Sequence, residues 1–464
     1  MKSTPHVLGG YDVAVLGAGS AGVAAAIAAA KNGAKTLLVE SSATLGGDLL
    51  SGLPIDGCRS SNGEWIVGGV AKALFDACKR WDGYIGSMYD RRNIWIVMIN
   101  PNVMSLAILH QLREHGVTIM PYTQVVGVNC RDGLIGSLVL ANKTQTFTLR
   151  AKQYLDCTGD ADVATLCGVP YEMGDEAGEL QPATIVFRFR RVAPQKLLKF
   201  ILDHPENCGL GENPLVPKTA RELARELYDL GYPKAFFSSS GPLMKEAIAA
   251  GELHACSMLA ITPNSSDGTC VTVNTTRMVL EDCTDALTLG NATLELASQV
   301  ENAAAFMMKY IPGFEQAEFS GIAPRLGIRE SRRIVGEYRL CADDVRNARK
   351  RSDGVCKGGH EVDIHGKAEN HVRFTIKDAG SYDIPLGCML PVGVYNLMVA
   401  GRSLSADRVA HSSARVMGTC MAMGQAVGTA AAMCASRQVM PRELSVAHLR
   451  EVLKSQGAVL EGTK

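Results

Sequence analysis

The stretch Tyr11–Gly47 constrains this chain more than any other. Val13–Leu16 is a short apolar run with the β-branched content of a buried parallel strand. Gly17, Gly19 and Gly22 follow at G-x-G-x-x-G spacing, with Ser20 and Ala21 between the last two, and the alanines behind them predict a helix over Val23–Ala30. Each glycine has a physical task. Gly17 permits the tight turn, Gly19 lets a pyrophosphate approach the backbone, and Gly22 lets the helix pack closely on the strand. The amides at the helix start, with the dipole behind them, attract phosphates. A second apolar strand, Thr36–Val39, ends in Glu40 and runs on through Ser41 to Gly46-Gly47. An acid at that position accepts both hydroxyls of an adenosine ribose and repels a 2′-phosphate. Glycine-rich turns also occur for packing alone. Here strand, glycines, helix, second strand and acid fall in register, which predicts a dinucleotide site.

A chain of 464 residues exceeds one ordinary domain, so two are expected. Forty-seven basic residues balance 47 acidic ones, which argues against a nucleic-acid partner. None of the 14 cysteines falls in a C-x-x-C pair, which argues against zinc ribbons, iron–sulfur clusters and thioredoxin-like chemistry. Cys157, Cys420 and Cys434 sit among apolar or small residues and read as core. No secretory segment precedes Tyr11, and no apolar run approaches the roughly 20 residues that span a bilayer. The expectation is a reduced, cytoplasmic protein without a membrane span. His360, Asp363 and His365 have metal-ligand chemistry but lack a fourth ligand at fixed spacing, so no metal is expected.

Along the chain, Gly52–Gly69 reads as a glycine-rich loop, facing either a cofactor or solvent. Asn100-Pro101 starts a helix whose apolar stripe is read as Leu106, Leu109 and Leu112, ending at Gly116. Extended runs then follow at 118–120, 124–129, 134–140 and 146–149, with Arg131-Asp132-Gly133 as a hairpin turn. Gln153–Asp156 is a strand leading into Thr158-Gly159-Asp160. The middle region mixes helices over Thr219–Leu230 and Ala286–Tyr310 with alternating runs at Thr184–Arg190 and Cys270–Asn274. A last apolar strand at Val394–Ala400 precedes Gly401 and a helix over Cys420–Ala435, and residues 441–456 read as a terminal amphipathic helix. The predicted division is 1–170 and 385–464 as one discontinuous nucleotide domain, with 171–384 as the substrate domain.

Together with Asp156–Asp162, Pro324–Arg333, Asp363-Ile-His365, Ile384–Leu390 and Val399–Gly428, the Tyr11–Gly47 stretch resembles the FAD-dependent oxidoreductases of the glutathione-reductase-like flavoproteins. These are related in fold to fumarate reductase and amino-acid oxidases. The resemblance implies the α/β class: a Rossmann-like FAD-binding domain, made of a parallel sheet plus an antiparallel β-meander, with a second α+β substrate domain. It implies FAD, held by Gly17, Gly19, Ser20, Ala21, Gly22, Glu40, Ser41, Gly46, Gly47, Val126, Thr158, Gly159, Asp160, Gly401, Asp407, Arg415, Gly418 and Thr419. The N-terminus of the Cys420 helix, aimed at the flavin pyrimidine ring, would stabilise negative charge at N1 and O2. At Gly418 the family pattern calls for proline, and the glycine is expected to loosen the turn before that helix.

The implied chemistry is hydride transfer between flavin N5 and a small organic substrate. Asp363 and His365, two apart on an extended segment, project from one face. Asp363 would fix the imidazole tautomer while His365 takes a proton, and Arg329 would clamp a carboxylate or polar oxygen. The plainer readings are a surface histidine near glycines and an arginine salt-bridged to Glu330 or Glu337. At the level of the whole chain, the competitors are an NAD-dependent dehydrogenase, which would be colourless, and a non-catalytic FAD-binding protein. The residues name neither the substrate nor the electron acceptor, and homo-oligomerisation stays open.

Overall fold

The computed structural model describes residues 6–213, 215–365 and 371–462. β1 (His6–Leu16), α1 (Ser20–Lys31) and β2 (Thr36–Val39) form the predicted strand–helix–strand unit. β1 and β2 pair in parallel, with Val13 opposite Thr36 and Leu16 opposite Val39. Next come α2 (Gly69–Lys79), a hairpin of β3 (Tyr84–Tyr89) and β4 (Trp95–Ile99), and α3 (Pro101–Glu114). The Asn100 side chain caps α3 by accepting from the amides of Asn102 and Val103. The leucine stripe read from the sequence is corrected here. Leu106 and Leu109 are 52% and 41% exposed, and the buried face is Met104, Ala107, Ile108, Gln111 and Leu112. At 3.6 residues per turn, Leu106 and Leu112 lie about 120° apart and cannot share one face.

β5 (Thr118–Met120), β6 (Gln124–Arg131), β7 (Leu134–Asn142) and β8 (Gln145–Asp156) complete the main sheet. Its order is β5-β2-β1-β8-β7-β6, and the strand Leu397–Val399 joins it on β8. The two extended runs expected at 146–149 and 153–156 are one strand. Its first half pairs antiparallel with β7, placing Leu149 opposite Leu138. Its second half pairs parallel with β1 and with Leu397–Val399, placing Leu155 between Val15 and Met398. Asp132 and Gly133 both take positive φ, the geometry of a tight hairpin turn between β6 and β7.

A second, antiparallel sheet has the order Ala235–Ser238, Met258–Pro263, Val271–Asn274, Phe187–Arg190, Glu318–Ile322. Residues of one face, including Phe187, Phe237 and Ile261, share a core with the helices Pro194–Asp203, Ala220–Leu230 and Ala286–Tyr310. Packing crosses the boundaries read from the sequence. Ile85, Met88, Ile96 and Met98 of the β3–β4 hairpin belong to this second core, whereas Leu340, Val355, Tyr382 and Ile384 pack with the first. An isolated hairpin cannot bury both its faces, so it borrows the nearer hydrophobic surface.

The helix Met417–Arg437 lies against α1, with two of its glycines set on the α1 backbone. A Cβ added at Gly424 would fall 2.1 Å from the Ala21 carbonyl oxygen, and one at Gly428 2.2 Å from that of Ala25. Among the described residues no helix is long and apolar enough to cross a membrane.

Candidate active site

The loop between β1 and α1 is a cradle cut to backbone tolerances. Gly17 has φ +93°, and a Cβ there would lie 2.5 Å from the Cys157 carbonyl oxygen; one on Gly22 would lie 1.8 Å from the Gly17 oxygen. Gly19 differs, because nothing stands within 4 Å of the Cβ it lacks. Two glycines therefore let the elements close on each other, and the third leaves space beside the helix start. No side chain caps α1 at that end, so its first amides face the space with only Ser20 and Ala21 beside them. Gly46 donates its amide to the Ala18 carbonyl, and Gly47 brings its backbone to Gly19, 2.9 Å from a would-be Cβ to the Gly19 Cα.

Glu40 is buried at the end of β2. Its Oε2 accepts from the Ala18 amide (2.7 Å), and its Oε1 from the Ser42 amide (2.8 Å) and the Ser41 hydroxyl (3.2 Å). At the end of β8, Asp156 accepts from the Thr158 hydroxyl and the Ala164 amide, and burial pushes its carboxyl up. Thr158 Oγ1 in turn accepts from the amides of Asp160 and Asp162, so the Thr158–Asp162 turn is held from within. Gly401 (φ +99°) passes α1 at 3.2 Å from the Ala21 methyl to its own would-be Cβ. Next to it, Arg402 bonds Asp160 (2.7 Å) and the Ile328 carbonyl (2.6 Å), over Gly159. Arg325 reaches the Gly47 position from the other side. The sequence reading passed over both arginines, since a lone Arg after Gly or Pro carries no periodic signal.

The remaining predicted cofactor residues are spread more widely. Val126 is 52% exposed at a bulge of β6, between Val125 and Gly127, where the ladder to β7 slips. Asp407 caps the helix Arg408–Ala414 and spends its two oxygens on the amides of Ala410 and Ala342. The cap is the role the structure shows for Asp407, whose carboxylate also ties Ala342 to that helix start. Gly418 does not loosen its turn. Its amide donates to the Asp56 carbonyl at 2.9 Å, and a Cβ would fall 2.7 Å from that same oxygen. A proline lacks that donor, so the glycine ties the 52–69 loop to the helix start. That loop is largely buried, not a solvent-facing one. The Thr419 hydroxyl is wholly buried beside Gly57 and has no partner among the described residues.

A cavity of about 220 Å³ opens between this helix start and the free face of the second sheet. Arg415, Val416 and Met417 line one side and Thr184, Lys234 and Thr262 the other. Asp363 and His365 sit on the same wall, in the strand Val362–His365, with His365 Nε2 3.1 Å from Asp363 Oδ2. Asp363 also meets Arg373 at 3.3 Å. Arg329 turns away from both glutamates the sequence offered it. Glu330 is taken by Arg333 and Arg408 and Glu337 by Arg442, while Arg329 donates to the Pro182 carbonyl (2.5 Å) and lines the cavity. Burial pulls Arg329 down to about 10. Arg415 is partly buried, bonds Gln181 at 3.3 Å and leaves its Nε unpartnered among the described residues; it lines the cavity. On the opposite flank His360 donates from Nδ1 to the Glu361 carbonyl (2.6 Å) and turns Nε2 to Asp56 at 4.0 Å. Burial pushes Asp56 up to about 7. Among the described residues no group of three or more His, Cys, Asp or Glu is placed to hold a metal ion.

A glycine turn opening on unclaimed helix amides, an acid at the next strand end and a returning Gly-Arg segment fit a dinucleotide, and the room left at Gly19 fits its pyrophosphate. The orphaned Thr419 hydroxyl and helix start beside the cavity fit the polar edge of a flavin. These features define a dinucleotide-binding flavoprotein. The family model for FAD dependent oxidoreductases matches residues 12–453, and the chain belongs to that family; it is an enzyme that uses FAD. Among solved structures it is similar to a flavin-dependent brominase, at 12% identity and TM-score 0.47, over 96% of this chain and 83% of that one. It is also similar to a geranylgeranyl bacteriochlorophyll reductase-like protein from Thermoplasma acidophilum (13%, TM-score 0.42, 98% and 85%). A third is p-nitrophenol 4-monooxygenase from Pseudomonas putida (11%, TM-score 0.43, 96% and 83%). No curated protein matches the sequence.

Proposed function

We propose that the enzyme moves a hydride between FAD and a carbon of a small substrate held in the cavity between the Met417 helix and the second sheet. The observation that carries this is the convergence of Arg329, Arg415 and the Asp363–His365 pair on that one cavity. FAD, when bound, supplies the two-electron chemistry; the chain supplies orientation and a proton. His365, oriented by its bond from Nε2 to Asp363 Oδ2, takes or returns the substrate proton. Asp363, held by Arg373 on its other oxygen, favours the imidazolium formed in the step as a carboxylate beside it. Arg329 and Arg415 hold a polar oxygen of the substrate still. The test is anaerobic titration of the yellow protein against a panel of alcohols, amines and acids, following the flavin absorbance. Bleaching by one class supports the reading; a flavin that no member of the panel reduces, and that in reduced form none of their oxidised counterparts reoxidises, sinks it.

A further inference from the structure

The floor of the cavity holds a cation that no carboxylate touches, with Asp90 and Asp56 acting on it only through space. Lys234 precedes the strand Ala235–Ser238 and stands beside Thr262 of the neighbouring strand. The period of two sends Ala235 and Phe237 into the second core and turns Lys234 and Phe236 to the cavity. The lysine is 1% exposed. Its Nζ donates to Thr262 Oγ1 at 3.1 Å and lies 3.8 Å from the centre of the Phe236 ring. Among the described residues, no carboxylate comes within ion-pair distance of it. An ammonium has three protons to donate, and the threonine takes one.

The other charges of the cavity do not fill the gap. Asp90 Oδ1 accepts the amides of Arg92, Asn93 and Ile94 and builds its own turn, while its buried Oδ2 has no hydrogen-bond partner among the described residues and acts on Lys234 only through space. Asp56, raised to about 7 chiefly by desolvation, makes no ion pair with Lys234 and acts on it through space. Arg92 pairs with Glu212, Arg373 with Glu212 and Asp363, and Arg325 lies near Asp48. Among the described residues lining the cavity, Lys234, Arg329 and Arg415 are the lysine and arginines in no ion pair. Burying an ammonium is unfavourable unless an anion compensates it. Thr262 strengthens the point, because a hydroxyl that accepts from Nζ turns its own proton outward. Nζ and Oγ1 then offer two donors side by side, the spacing a carboxylate fork accepts.

We infer that the substrate is an organic carboxylate whose carboxyl group seats on Lys234 and Thr262, against the second sheet. This names the substrate class for the oxidoreductase reading and rests on it for the identity of the ligand as substrate; the anion site is read separately, by equilibrium binding. The experiment is isothermal titration calorimetry of the FAD-loaded protein with propanoate and glutarate, beside the neutral propanamide and glutaramide. Wild-type protein is expected to bind at least one carboxylate saturably and neither amide. Lys234→Met is expected to weaken the carboxylate by about tenfold or more with FAD content unchanged. Should that variant fail to hold FAD, Thr262→Val removes the second donor while leaving the ammonium, and a several-fold loss is expected. Equal constants for wild type and variant overturn the inference, as do amides binding as well as acids, or a wild-type protein that binds neither acid. A carboxylate that binds but never exchanges electrons with the flavin contradicts the proposed reaction and leaves the anion site standing.

Discussion

Replacing Gly424 with alanine tests whether the cofactor cradle depends on the contact between α1 and the Met417 helix. The added methyl would sit 2.1 Å from the Ala21 oxygen, where ordinary contact begins near 3.4 Å, so the helices must part locally by about 1.3 Å. The atoms it meets are backbone, so no rotamer change absorbs the clash. Overpacking of this kind costs about 1–3 kcal/mol, and the better helix propensity of alanine returns up to about 1 kcal/mol. The expected net loss is about 1–2 kcal/mol in urea unfolding. Gly428→Ala meets the Ala25 oxygen one turn further along, at 2.2 Å. A gap opened for one methyl serves the other, so the double variant should cost at least about 1 kcal/mol less than the sum of the singles. Ala21 stands in the first turn of α1, so FAD release should quicken with each single substitution. A stabilised single variant, or a double variant additive to within about 0.5 kcal/mol, would refute the reasoning.

Glu40→Ala removes a carboxylate that holds the Ala18 and Ser42 amides, bonds of about 1.5–3 kcal/mol each to a charged group, and FAD content after dialysis should fall; wild-type retention would count against the ribose assignment. His365→Ala should slow flavin reduction by the true substrate by about 10²–10⁴-fold with FAD content unchanged, and an unaltered rate would make His365 structural. Carboxylate affinity should fall as pH rises from 6 to 9. The groups facing Lys234 are Asp56, Asp90 and Arg92. Lys234, pulled down to about 8 by burial, loses its charge near the top of that range, and Asp56, pushed up to about 7, gains one near the bottom. Both changes repel an anion, so an affinity flat with pH, measured by calorimetry, would remove Lys234 from the site.

The nucleotide half could be read from the residues because its rules are local. Gly17, Gly19, Gly22 and Glu40 answer to a backbone turn whose spacing is the same wherever the motif occurs. Asp363 and His365 could be paired for a similar reason, since two residues apart on a strand is a geometric statement. The cavity could not. Lys234 stands in Tyr232-Pro233-Lys234-Ala235, where nothing marks it from a surface lysine; only the neighbouring strand and its Thr262 make it buried. The capping of the next helix by Asp407 is not legible either, because an acid after a glycine-rich turn looks the same in sequence whether it caps a helix or meets a ligand. The leucines of α3 failed through arithmetic alone: a spacing of three drifts around the helix, and the i+4 partners carry the buried face.

The second sheet divides its residues between two masters. Odd positions such as Ala235, Phe237, Leu259 and Ile261 hold the helices, while Lys234, Phe236, Met258, Ala260 and Thr262 look into the cavity. Alternate residues on the same two strands are thus free to vary independently. On the proposed reading of the cavity, recognition could be rewritten at five positions without altering a side chain of the second core, and a library confined to those five codons would explore that space at the bench.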